Sequence, residues 1–193
     1  ACLVGSEMCI RDSNGTGSNV VALQLMTRPY HSIFCAETAH IYVDECGSPV
    51  KMTGCQICPI ATPDGKLTPE LMQPYLHGFG DQHHSQPRAL YISQCTELGT
   101  IYTPEELKRL TDFAHLNGMY VHMDGARIAN ACAALNLSLK ELTVDCGVDI
   151  LSFGGTKNGL MMGECVIVFN KDLQPEARFC LLYTSPSPRD MRR

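Results

Sequence analysis

No apolar run in the sequence approaches the roughly 20 residues that a membrane-crossing helix needs. Stretches such as Val20–Leu23 and Val166–Phe169 are far shorter, so a transmembrane helix is excluded. Positive charge is also scarce: 15 Lys and Arg face 20 Asp and Glu, for a formal net charge of −5. That balance argues against a nucleic-acid partner held by phosphate neutralisation. A second Cys-x-x-Cys or a His pair at ligand spacing is missing as well. Cys55-x-x-Cys58 is the one close pair among 11 cysteines, and no metal or redox centre is expected from it. No secretory signal stands at the start, and a chain of 193 residues does not need disulfide staples. The thiols are therefore expected to be free, in a reducing cytoplasm.

The two ends differ in character from the middle. Residues 1–13 and 181–193 carry no helical or strand period continuous with their neighbours. The tail is rich in Ser, Pro and Arg, a composition that buries little apolar surface and favours disorder. Both segments resemble translated adapter sequence and are expected to be non-native, leaving 14–180 as a fragment of one larger domain.

That body alternates strands with helices. Thr16–Met26 reads as a helix opening out of Asn14-Gly-Thr-Gly-Ser-Asn19. Ser32–Cys35 and His40–Val43 read as two short strands, or a strand and a turn. Residues 44–69 read as loops around a strand near Gln56–Ile60, and Thr68-Pro69-Glu70 opens a helix running to about Leu76. Ala89–Ser93 is the next strand. Thr103-Pro104-Glu105-Glu106 is a capping box, with Leu107, Leu110 and Ala114 at helical spacing behind it and Gly118 as the stop. Met119–Met123, Asp149–Phe153 and Glu164–Asn170 are continuous apolar strands, with a helix at Ala126–Leu135 between the first two. Such strands mean an α/β fold, a mostly parallel sheet with helices on both faces.

In open sheets of this class the ligand crevice lies beyond the carboxyl ends of the strands. Asp124 follows one apolar strand. Lys157 follows the next, in Phe153-Gly-Gly-Thr-Lys-Asn-Gly159, one strand–helix–strand crossover later. The two side chains can emerge on the same rim. Gly15-Thr16-Gly17, at a helix N-terminus, offers free N–H groups and a positive dipole end to an anion. An anion cradle, a carboxylate and a lysine make the set that pyridoxal phosphate requires: phosphate on the helix, acid on the pyridinium nitrogen, amine on the aldehyde. Each piece alone has a plainer reading. Asp124 can cap the helix behind it, and a lysine in a glycine-rich turn is usually solvated. Glu37 lies where a ribose-binding acid would, which keeps a nicotinamide dehydrogenase as a rival, although the third fingerprint glycine is absent at Val20. The order Thr-Lys-Asn does not fit a Walker loop.

His122-Met-Asp-Gly-Ala-Arg127 followed by Phe153-Gly-Gly-Thr-Lys157 resembles the threonine aldolase branch of the pyridoxal-phosphate β-eliminating lyases. Asn14-Gly-Thr-Gly, Thr38-Ala-His40-Ile and Ser93-Gln-Cys-Thr-Glu-Leu-Gly-Thr100 match in the same order. The resemblance covers most of Asn14–Asn170. It implies part of the large domain of a fold-type I enzyme, normally a homo-oligomer, that cleaves β-hydroxy-α-amino acids such as threonine. It further implies that Lys157 joins the cofactor, Asp124 pairs with the pyridine nitrogen and His40 stacks on the ring. Gly15 and Thr16 would hold the phosphate, and Arg127 the substrate carboxylate or the ring oxygen. A base for the β-hydroxyl proton is also needed. His31, His83 and His84 are candidates by type, and their spacing does not choose among them. Where many of these enzymes place a histidine after the strand Ala89–Ser93, this sequence has Gln94-Cys-Thr-Glu97. Other fold-type I chemistry, β-elimination or transamination, and a non-catalytic fragment remain the alternatives.

Overall fold

The computed structural model describes residues 8–12, 14–161 and 163–184. A seven-stranded sheet forms the centre, in the order β1-β7-β6-β5-β4-β2-β3. β2 (His31–Ala36), β3 (Gln56–Ile60), β4 (Gln86–Ser93), β5 (Tyr120–Gly125) and β6 (Ile150–Gly154) run parallel. β7 (Glu164–Val168) and β1 (Met8–Asp12) close that edge antiparallel. β7 was expected to be like the others. The short link from Gly154 to Glu164 leaves no room for a crossover helix, so the chain turns back on itself.

Side chains alternate across the sheet. One face packs Leu90, Ile92, Val121, Met123 and Leu151 under α5 (Pro104–Leu116) and α6 (Ile128–Leu135). The other packs Ile33, Ala89, Tyr91, Ile150, Val166 and Val168 under α1 (Gly15–Met26) and α7 (Gln174–Thr184). α1 is apolar on most sides because it lies deep in this layer, with Val20–Leu23 and Leu25 buried. α5 begins as its sequence dictates: the Thr103 hydroxyl accepts from Glu106 N–H at 3.3 Å, and the Glu106 carboxylate accepts from Thr103 N–H at 2.8 Å.

Two segments differ from the sequence reading and a third settles it. His40–Val43 follows the second of its two readings, a turn and not a strand, and that turn is helical, α2. Ser48–Thr53, read as loop, is a second short helix, α3, bracketed by Gly47 and Gly54, both in the left-handed region at φ 71°. One helical turn spans too few residues to show a period. Met8–Asp12, where no strand was expected, pairs with β7; an edge strand needs only backbone groups on one side. At the other end, Leu181–Thr184 completes α7, while the remainder of the tail lies outside the described residues. α4 (Pro69–Met72) continues into a 3₁₀ turn at Gln73–Tyr75, as expected of the Thr68 start.

Candidate active site

The carboxyl ends of β5 and β6 open into a cleft of about 430 Å³. Gly15, Thr16, His40, Asp124, Arg127 and Lys157 all line it. The six residues singled out in the sequence thus meet at one place. Gly15 and Thr16 form the first turn of α1, whose N–H groups have no intrahelical acceptor. His40 is the first residue of α2 rather than a strand end, and its backbone N–H donates to Glu97 Oε1 at 3.1 Å. Asp124 is the penultimate residue of β5, and Arg127 is the residue at which α6 begins. Lys157 sits in a 3₁₀ turn, Thr156–Asn158, with its side chain exposed to the cleft.

Asp124 is gripped on both oxygens. Oδ2 accepts from Tyr91 O–H at 2.7 Å and from Asn19 Nδ2 at 3.0 Å, and Oδ1 accepts from Ala126 N–H at 2.9 Å. The plainer reading of Asp124 as a helix cap is not met: Oδ1 closes the turn ahead of α6, whose cap residue, Arg127, has no side-chain cap bond. Burial alone would raise its pKa, but the bonds from Asn19, Ala126 and Tyr91 outweigh burial and hold the carboxyl below its ordinary value. A fixed negative charge thus faces the cleft. Behind it, His122 is wholly buried and stays neutral: burial pulls its pKa down to about 4.

The glycines before Lys157 have a steric cause. A Cβ on Gly154 would come within 2.7 Å of Ala126 Cα, and one on Gly155 within 2.5 Å of Gly163 O. Asn158 bridges the two turns, its Nδ2 donating to Gly154 O and, at 3.4 Å, to Ala126 O. The loop that carries the lysine is in this way fastened to the loop that carries the acid.

Sequence reasoning missed Asn19 and Glu45. Asn19 is buried on α1, and its Nδ2 also donates to Glu45 Oε1 at 2.8 Å. Glu45 Oε1 in turn lies 2.9 Å from His40 Nδ1. Burial raises the pKa of Glu45, against the lowering effect of the bonds from Asn19 and His40. Nothing in a single sequence singles out a polar residue whose partner lies in another element. The three histidines offered as a base do not reach the cleft: His31 lines a depression at the amino ends of the strands, and His83 and His84 line a groove beside Cys58. Glu37 is exposed and outside the cleft lining, which removes the basis for the dinucleotide reading. Gln94 is also spent elsewhere, clasping the backbone of Tyr102 at 2.8 and 3.0 Å. Among the described residues no group of His, Cys, Asp and Glu is arranged to hold a metal ion.

Comparison with known proteins follows the same lines. The sequence profile described as Beta-eliminating lyase matches residues 1–184. Low specificity L-threonine aldolase from Pseudomonas aeruginosa is 45% identical over 161 residues, 83% of this chain and 46% of that protein. The threonine aldolase of Leishmania major has the same fold at a TM-score of 0.86 and 32% identity, over 93% of this chain and 52% of that one. Cystalysin from Treponema denticola, whose structure contains pyridoxal 5'-phosphate, shares the fold alone: TM-score 0.69 at 12% identity, over 93% of this chain and 46% of that one. The chain spans about half the length of the curated relatives it matches.

Proposed function

The chain belongs to the beta-eliminating lyase family, and from that premise we propose that its parent protein is a pyridoxal-phosphate-dependent carbon–carbon lyase. Its substrates on this reading are β-hydroxy-α-amino acids, with threonine cleaved to glycine and acetaldehyde. The observation that carries the proposal is the convergence of Asp124, Lys157 and the first turn of α1 on one cleft.

The donor set fits the cofactor. Asp124 is a half-buried acid kept ionised by three donors, suited to a protonated ring nitrogen. Gly15 and Thr16 present first-turn N–H groups to a phosphate, and the space beside Gly15 is open, with nothing within 4 Å of where a Cβ would stand. Lys157 supplies the amine that holds the cofactor, and His40 the flat face against its ring. Arg127 presents a fork to the substrate carboxylate or the ring oxygen. When bound, the cofactor supplies an electron sink for the carbanion left as Cα–Cβ breaks. His40 is the imidazole in the cleft, so removal of the β-hydroxyl proton falls to it or to water held against it.

Full-length parent protein, purified with cofactor, should absorb in the yellow range and release glycine and acetaldehyde from threonine. Lys157→Ala should abolish the borohydride-reducible link to the cofactor; a persisting link overturns the lysine's role. Product analysis with serine and aromatic amino acids separates this activity from β-elimination and transamination. A homo-oligomer is the proposed assembly, supported by exposed Tyr42 and Val43 beside His40 and exposed Leu160 and Met161 beside Lys157. Sedimentation of the parent tests it. A cytoplasmic setting is proposed from the thiols, none of which forms a disulfide among the described residues. Residues 1–13 and 181–193 are proposed to be foreign to the parent; the lack of a period continuous with their neighbours supports this for both, the Ser, Pro and Arg of the tail for the second, and resequencing the locus tests it.

A further inference from the structure

We propose that Glu45 is the positioning residue of His40, its carboxylate taking the Nδ1–H of the ring and so turning an unprotonated Nε2 toward the cleft. This rests on the reading of the cleft given above. Glu45 is 4% exposed, and its Oε1 stands 2.9 Å from His40 Nδ1 and 2.8 Å from Asn19 Nδ2. A carboxylate oxygen only accepts, so the proton of that contact belongs to Nδ1, and the tautomer of the ring follows from it. Asn19 Nδ2 donates as well to Asp124 Oδ2 at 3.0 Å. His40, Glu45, Asn19 and Asp124 form one chain of bonds across the floor of the cleft. The imidazole and the acid are thereby set at a fixed separation, although they belong to α2 and β5.

The cost of burying Glu45 argues that its place is not for stability. Its second oxygen, Oε2, is buried with no hydrogen-bond partner among the described residues. A half-satisfied buried carboxylate is unfavourable for folding and is a poor choice for a filler residue. Glutamine would keep the accepting Oε1 without burying a charge. What only a carboxylate supplies is a charged acceptor that holds the ring by its Nδ1–H and keeps Nε2 aimed away from it.

The test uses full-length parent protein freed of cofactor, treated with diethyl pyrocarbonate at a pH where imidazoles are neutral. The rate of His40 acylation is read by peptide mass. Glu45→Gln, which keeps the shape, should slow acylation roughly tenfold, with kcat of the loaded enzyme falling by a similar factor and KM little changed. Glu45→Asp, which keeps the charge, should recover most of the acylation rate and serves if the Gln variant does not fold. His40 acylation at the wild-type rate in Glu45→Gln, or equally slow in the Asp and Gln variants, overturns the proposal. If wild-type parent does not cleave threonine but His40 acylation still depends on Glu45, the proposed reaction fails and this inference stands.

Discussion

A histidine sealed under a sheet can fold only as the neutral ring, and His122 carries the consequence in its titration. Its Nε2 lies 2.8 Å from Ser152 Oγ, and its Nδ1 has no partner among the described residues. Burial lowers its pKa from 6.5 to about 4. A group depressed in the folded state contributes stability that is complete above the unfolded pKa and is lost as pH falls through the folded one. The window here runs from pH 6.5 down to about 4, and the full loss is on the order of 3 kcal/mol. Urea midpoints measured across that window should fall, and His122→Gln should flatten the slope; an unchanged slope refutes the assignment. Asp124 shows the same logic at the site. Tyr91→Phe removes one of its donors, at a cost of about 2 kcal/mol for a bond to a charged group. The variant should also hold the cofactor nitrogen less firmly, seen as a several-fold drop in kcat of the parent enzyme.

Elements differ in how openly their sequences announce them. α5 was readable in full, because the capping box, Pro104 and the apolar spacing all state one local preference. The ends of β5 and β6 were readable because polar residues at or just past the carboxyl ends of apolar strands lie where the crevice of such a sheet opens. α2 and α3 were not, since single turns owe their form to flanking glycines and to bonds such as His40 N–H to Glu97. Asn19 and Glu45 were invisible for a related reason: their meaning is a contact between α1 and a residue two positions past α2, made only when the chain packs. The Gly154–Gly155 turn lies between these cases, with its glycines visible and their cause not. Ala126 Cα would stand 2.7 Å from a Cβ on Gly154, and backbone cannot step aside as a flexible side chain can. Gly154→Ala should therefore cost about 1–3 kcal/mol in urea unfolding and displace Lys157 from Asp124. A variant as stable as wild type, with undiminished cofactor retention, would count against the steric account.

At the scale of the molecule, every residue assigned to the cofactor comes from this one chain, yet the cleft they line stands open to solvent at Lys157. Charges and dipoles in a site act strongly only where water is kept out. The relatives are about twice as long as this chain, so in the parent further sequence is available to wall the cleft. Two properties should then separate. Joining the cofactor needs Lys157, Asp124 and the first turn of α1, all present here, so the 193-residue chain should still take a borohydride-reducible label at Lys157. Cleavage needs the substrate held and shielded as well, and misplacement by about 1 Å can already cost 10²-fold. The chain alone should cleave threonine at least ~100-fold more slowly than the parent, with the deficit in kcat as well as in KM. Labelling that fails along with cleavage would place the cofactor site itself across sequence this chain does not contain. Cleavage at the parent's rate would mean that the open cleft is already the complete site.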